Sequence, residues 1–384
     1  MRVAILETIL MPAGHEVEFD RILADELKRQ GHEPVFFVPE HFPFKVDYKC
    51  DVEYLDGGEV VTYAGAGYVK RLYLGVVREI RRRAWFTSAC EKARAGLCDA
   101  IIVPTATYRY LRALRGSALK DSPVPVYFIF HGINPKEKPN YEKQARLTEK
   151  YPQVHLKVIT LRHDFANSNL KNMDQIPPPV YKPQDLPVNK DLTFTPPIKL
   201  GFFGQFRKEK NLGFFLEAFT KAKFSVPVQL IVQGATVKPE DGELFEQIAR
   251  DYAKYPSITF WHKNLLGLEW QKALLSVDAI MIPYAAERYR YHWGAMLFTA
   301  IGFYKPFLSS PEQNPEVLEK YKIGMAVDLS SVEAFARQLE QFVENLTTHG
   351  DEYRRDLDAA NEEYSHEKLI RNIRFMTMAE FRKN

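Results

Sequence analysis

Residues 198–222 read IKLGFFGQFRKEKNLGFFLEAFTKA, and they divide into three pieces. Ile198 to Phe203 is a short, mostly apolar run, the mark of a strand buried on both faces. Gly204 breaks the run, and Gln205, Arg207, Lys208, Glu209, Lys210 and Asn211 form a polar, basic turn. From Leu212 the apolar residues recur at helical spacing through Phe215, Leu216, Phe219 and Ala222, so a helix begins there with one face buried. A strand, a glycine turn and a helix start direct free backbone N–H groups and the helix dipole the same way, which suits an anion. Arg207 and Lys210 add full charges beside it. Two readings fit this stretch equally: a solvated basic loop, or a seat for a phosphate or diphosphate.

The surrounding chain bears on the choice. With 384 residues it has room for two domains, and 46% hydrophobic residues suffice for buried cores. Its 52 Lys and Arg against 49 Asp and Glu leave a formal charge of +3, too balanced for a nucleic-acid-binding protein, so any basic feature is local. Cys50, Cys90 and Cys98 lack metal-ligand spacing and suit free thiols in a reducing compartment. MRVAILETIL runs straight into a strand-like segment without the layout of a signal peptide, and no apolar stretch approaches a membrane span. The expectation is a cytoplasmic protein.

Upstream, Val3 to Leu10 reads as a strand and Phe19, Ile22, Leu23 and Leu27 as a helix face. Gly31-His32 ends that helix before the strand PVFFVP, so the chain opens like a doubly wound α/β domain. Gly14 lies where the backbone leaves the first strand, the edge at which such sheets bind ligands. DAIIVP (99–104), VPVYFIF (124–130) and LKVITL (156–161) are further strands, and His131 stands at the carboxyl end of the second of these. Prolines 177, 178, 179, 183, 187, 196 and 197 mark a connection between domains, because proline continues neither helices nor central strands. After Ile198 a second α/β pattern runs through VQLIVQG (228–234), SITFWH (257–262), DAIMIPY (278–284), KPFLSS (305–310) and Met325 to Leu329. Ser330 with Glu333 reads as a capping box for a helix through Phe335, Leu339, Phe342 and Val343.

Tyr68 to Phe86, YVKRLYLGVVREIRRRAWF, is basic and amphipathic. Val69, Leu72, Tyr73, Val76, Val77 and Ile80 form its stripe, and Lys70, Arg71, Arg78, Arg81, Arg82 and Arg83 crowd the rest. The expected state is a helix packed on its own sheet with a solvated basic face. The alternative is a patch that rests on anionic lipid.

GFFGQFRKEKNLGFFLEAF resembles the glycine-to-lysine motif of the large fourth family of nucleotide-sugar glycosyltransferases. VDAIMIPYAAERYRYHWGAMLFTAIGFYKPFLSS is similar to that family's strand, acidic loop, glycine, helix and Lys-Pro strand. AGHE near the start, the strand ending in His131 and SN…K…IPPPVY follow in the same order, so the resemblance spans nearly the whole chain.

The resemblance implies a GT-B fold: two Rossmann-like doubly wound α/β domains facing across a cleft. The domains are expected at 1–182 and 198–362, with a proline-rich linker at 183–197 and a helix at 363–384 crossing back to the first. It implies that a sugar moves from a UDP- or GDP-sugar to a glycan or lipid-linked acceptor, with retained anomeric configuration and with no metal or other cofactor. His131 would approach the sugar, and Lys210 and Arg207 would hold the diphosphate, with Gln205 standing where the family has its arginine. Gly14, Gly204, His292 and Gly294 would frame the donor. Glu287, about four residues displaced, and Thr299 occupy the places of the family's paired glutamates, one facing the sugar and one the ribose. That departure leaves room for a non-catalytic sugar-nucleotide-binding relative or, more remotely, a sugar-nucleotide epimerase. Residues 68–86 would give a peripheral contact with the inner face of the membrane, and no nucleic acid is expected.

Overall fold

The computed structural model describes residues 1–9, 15–63, 65–165, 170–184 and 186–381. It contains two compact units, Met1–Pro177 with His366–Asn384, and Pro178–Ser365.

The main sheet of the first unit is built from β1 (Arg2–Leu6), β2 (Glu33–Pro39), β3 (Asp51–Leu55), β4 (Ala100–Val103), β5 (Val126–Phe130), β6 (Val154–Ile159) and β7 (Met173–Ile176). They lie in the order β3-β2-β1-β4-β5-β6-β7, and every pairing is parallel. Parallel strands covered on both faces carry continuous apolar runs, and all five residues of β5 are buried. The edge strand β3, DVEYL, is mostly exposed, which is why its composition gives no strand signal. Helix α1 (His15–Arg29) follows β1, and the long helix α2 (Tyr68–Arg94) follows β3.

The second unit carries β8 (Ile198–Phe202), β9 (Val228–Gly234), β10 (Ile258–His262), β11 (Ala279–Ile282), β12 (Phe307–Ser309) and β13 (Gly324–Ala326). Their order is β10-β9-β8-β11-β12-β13, again all parallel. Helices α3 (Leu212–Lys221), α4 (Ala295–Gly302) and α5 (Val332–Thr348) pack around this sheet. The cap of α5 is Ser331, whose hydroxyl accepts from Ala334 N at 3.0 Å; Ser330, read from the sequence, lies one residue too early.

Two segments depart from the reading of the sequence. Pro178 and its successors pack with the second unit: Val180 N donates to Tyr364 O at 2.9 Å, and Tyr181 stacks against Trp293 at 5.1 Å. The stripe of α2 is not packed on its sheet. Tyr68, Val69, Leu72, Tyr73, Val76 and Ile80 are between 58% and 79% exposed, whereas Trp85 and Phe86 one turn further on are core.

The last segment, from His366, packs on the first unit. Arg29 pairs with Glu367 at 3.2 Å, and Met376 N donates to the Tyr127 hydroxyl at 2.7 Å.

Candidate functional site

In the second unit β8 lies between β9 and β11, so the chain leaves the carboxyl ends of β8 and β11 toward opposite sides of the sheet. Such a reversal opens a crevice at the carboxyl edge. The loops emptying into it are 203–211, after β8, and 283–294, after β11.

Gly204 makes the first turn at φ +106°, a conformation that side chains with a Cβ resist. Its N–H donates to Gln233 Oε1 at 2.8 Å, and a Cβ built there would sit 3.2 Å from Lys210 Nζ. The lysine is thus drawn back beneath the turn. Lys210 is buried, its amino group 3.5 Å from Phe203 O and 4.5 Å from the centre of the Tyr284 ring. Burial, and the charge of Arg207 beside it, bring its pKa down to about 7 against the opposing pull of Glu209.

Arg207 is half-buried and donates to Gln205 Oε1 at 3.2 Å. Glu209 pairs with Arg288 from the facing loop at 2.7 Å. Burial, then Arg288 and Arg207, push His292 down to about 4, so it is neutral at physiological pH. Gly294 caps α4 at φ +71°, and a Cβ there would meet Asn314 Nδ2 at 2.9 Å and Gln313 Oε1 at 3.2 Å. Asn314 Nδ2 donates to His292 O and Trp293 O, at 3.3 and 2.9 Å, fixing the turn before the helix. Met296, in the first turn of α4, lies 3.5 Å from the Cβ position of Gly204, which joins the two loops into one site.

Arg207, Lys210, Gly204, His292 and Gly294 are therefore brought together. Thr299 is buried in α4, its hydroxyl donating to Ala295 O at 2.8 Å. Glu287 is exposed at the start of a single 3-10 turn. His131 directly follows β5 in the first unit, edge-on to Phe19 at 4.5 Å. Gly14 lies outside the described residues, as do Ser168 and Asn169 of the SN…K pattern. Reasoning from sequence missed Gln233, Tyr284, Arg288, Gln313 and Asn314. Gln233 alone left a signal, a polar residue next to the glycine that ends β9.

The first unit has a different chemistry at its own carboxyl edge. Glu7, just after β1, meets Glu16 and Asp20 of α1, and all three are buried. Burial and the Glu16 charge raise Glu7 to about 8. Burial takes Glu16 to about 7 despite Lys45, and burial with both neighbours holds Asp20 well above its ordinary range. Among the described residues, no group of three or more His, Cys, Asp or Glu is arranged to hold a metal ion. No helix among them is long and apolar enough to cross a membrane.

Residues 197–345 match the family model described as glycosyl transferases group 1. Among solved structures, HepE of Anabaena in complex with UDP and glucose is similar over 97% of this chain and 98% of its own, at 14% identity and a TM-score of 0.64. WaaG, a glycosyltransferase involved in lipopolysaccharide biosynthesis, covers 97% and 99% at 16% identity and 0.64. The catalytic domain of starch synthase IV from Arabidopsis thaliana, bound to ADP and acarbose, covers 97% and 98% at 11% identity and 0.64. No curated protein matches the chain. The fold is the two-Rossmann GT-B fold of glycosyltransferases, and the match to the group 1 model lies within the second unit.

Proposed function

From a glycosyl transferases group 1 domain over residues 197–345, we propose that the protein moves a sugar from a nucleoside-diphosphate sugar to a glycan or lipid-linked acceptor. The observation that carries the proposal is Lys210, a buried amino group beneath a positive-φ glycine at the ligand edge of the sheet. Among the described residues no carboxylate is in hydrogen-bonding contact with this cation, so a diphosphate is the partner it lacks. Arg207 and Arg288 stand nearby.

In the reaction the bond from the anomeric carbon to the diphosphate oxygen breaks, and the acceptor hydroxyl forms a new bond to that carbon. The electron pair of the broken bond stays on the phosphate, where Lys210, Arg207 and the N–H groups at the head of α4 stabilise it as it develops. We take the transfer to be retaining, with the departing phosphate accepting the hydroxyl proton, and to need no metal, so that chelators leave turnover unchanged. The inner face of the membrane is the proposed place of action, reached through the exposed apolar stripe of α2.

Calorimetry with UDP and GDP, then turnover of their sugar derivatives with and without an acceptor pool, tests the reading. Binding together with acceptor-dependent release of the diphosphate is expected. Thr299 and Glu287 motivate a second reading, a non-catalytic sugar-nucleotide-binding protein, which predicts binding with no turnover of any donor. Conversion of donor without acceptor would instead indicate an epimerase.

A further inference from the structure

We infer that the side-chain amide of Gln313 reads a hydroxyl of the transferred sugar; this rests on the donor reading above and goes beyond it. Gln313 lies in the turn that leaves the carboxyl end of β12, on the same edge of the sheet as Gly204 and Gly294. It is 2% exposed, and its Oε1 has no hydrogen-bond partner among the described residues. Buried polar atoms are nearly always paired, so an orphan acceptor points to a group that arrives from outside. Its direction is given by Gly294: a Cβ there would lie 3.2 Å from Oε1, which places the amide against the head of α4.

The turn is held rigidly. Gln313 N donates to Ser310 O at 3.2 Å, and the Ser310 hydroxyl in turn donates to Tyr284 O at 2.5 Å. Asn314, 1% exposed and at φ +42°, anchors the other side through its bonds to His292 O and Trp293 O. Ser310 and Asn314 are committed in this way, whereas Gln313 Oε1, like Ser309 Oγ at the end of β12, is unpaired among the described residues.

The surroundings of the amide define the chemistry of its missing partner. A phosphate at neutral pH offers oxygens that accept and few protons to donate, so an acceptor oxygen gains little from it. Lys210, Arg207 and Arg288 already supply the cations of the site. A hydroxyl donates to an oxygen and accepts from an N–H, and an amide presents both without adding charge. The ligand group is therefore a hydroxyl of an uncharged sugar, beside the diphosphate. The Thr299 hydroxyl already donates to Ala295 O and Glu287 is exposed, whereas Gln313 Oε1 is buried with no partner among the described residues.

The test compares Gln313→Leu and Gln313→Glu, both close to glutamine in size, with the intact chain. UDP and GDP alone are measured by calorimetry, and the corresponding glucose, galactose and mannose derivatives by calorimetry and steady-state turnover. Gln313→Leu should leave the affinity for the nucleoside diphosphate within about twofold while kcat/KM for the sugar derivative falls about tenfold to a hundredfold, since a buried hydroxyl loses its partner. Gln313→Glu keeps an acceptor and should recover part of that loss. Equal weakening of diphosphate and sugar derivative, or no change in either, overturns the assignment while the donor reading stands. A wild-type protein that binds no nucleoside diphosphate ends both.

Discussion

Lys210 holds a positive charge where water is scarce, and that sets its behaviour with pH. With the site empty its pKa of about 7 leaves it partly neutral at physiological pH. A bound diphosphate favours the charged form, so above about pH 7 binding must take up a proton and affinity must fall, by up to tenfold per unit. Calorimetry in buffers of different ionisation enthalpy should show that uptake, and Lys210→Arg, charged throughout, should abolish it. A pH-independent affinity in the wild type would contradict the assignment. Removing the charge with Lys210→Ala should lower turnover about a hundredfold to a thousandfold. Gly294 is constrained differently: a methyl group there meets Asn314 and Gln313 and must also adopt φ +71°. Gly294→Ala should cost roughly 1–3 kcal/mol of stability in urea unfolding, from αL strain and displacement of that turn. The basic turn was legible because Gly204, Arg207 and Lys210 are adjacent in sequence. Gln313 and Asn314 were not, because only the sheet order brings them to Gly294.

At the scale of elements, buried strands announced themselves by apolar runs, while β3, alternating and exposed at the sheet edge, did not. Helix α2 shows the opposite failure. Its stripe has the spacing that normally marks a packed face, yet that face is open. The helix contains its own comparison: on the same side, one to three turns later, the exposed residues are Arg83, Thr87 and Glu91. A solvated face can therefore be polar here, and the apolar half calls for a partner. Lys70 and Arg71 are exposed beside it, and Arg78, Arg81 and Arg83 come next along the helix, with Glu79 alone opposing. A second copy would bring like charges together, whereas anionic lipid accepts both the stripe and the cations, at about 1 kcal/mol per cation near the surface. Vesicles rich in phosphatidylglycerol should sediment the protein, vesicles of phosphatidylcholine should not, and added salt, to about 0.5 M, should weaken the binding. Leu72→Glu with Val76→Glu should abolish it without moving the thermal midpoint, both sites being exposed. Binding that survives the double variant returns the face to solvent; lipid-free dimers that the variant dissociates assign it to a second copy.

For the molecule as a whole, two doubly wound units were legible because strand, loop and helix patterns repeat on either side of the prolines. Chain order could not reveal that 178–197 packs with the second unit, a matter settled by Val180 and Tyr181. Nor could it reveal the acidic group in the first unit, since Glu16 and Asp20 look like the solvated face of an amphipathic helix until β1 sets Glu7 against them. These carboxyls titrate with the fold. In the unfolded chain they ionise near pH 4, whereas in the folded protein Glu16 and Glu7 hold their protons to about 7 and 8, and Asp20 also ionises late. Across roughly pH 4.5 to 8 these three groups bind more protons in the folded state than in the unfolded one, so their contribution to stability falls as pH rises, by at most about 1.4 kcal/mol per unit for each group. Lys45 near Glu16 moderates the effect, and Tyr48 and Tyr110, neutral throughout, do not compensate it. His155, His292 and Lys210, whose pKa values burial lowers, act in the opposite sense over this range, so the slope due to the carboxyls is read from the difference between the wild type and a variant lacking one of them. Glu7→Gln, which keeps the shape and removes the titration, should flatten that slope and leave the variant more stable than the wild type at about pH 8. A Glu7→Gln profile that runs parallel to that of the wild type over this range would mean that Glu7 is already ionised in the folded protein, and the protonated cluster would have to be abandoned.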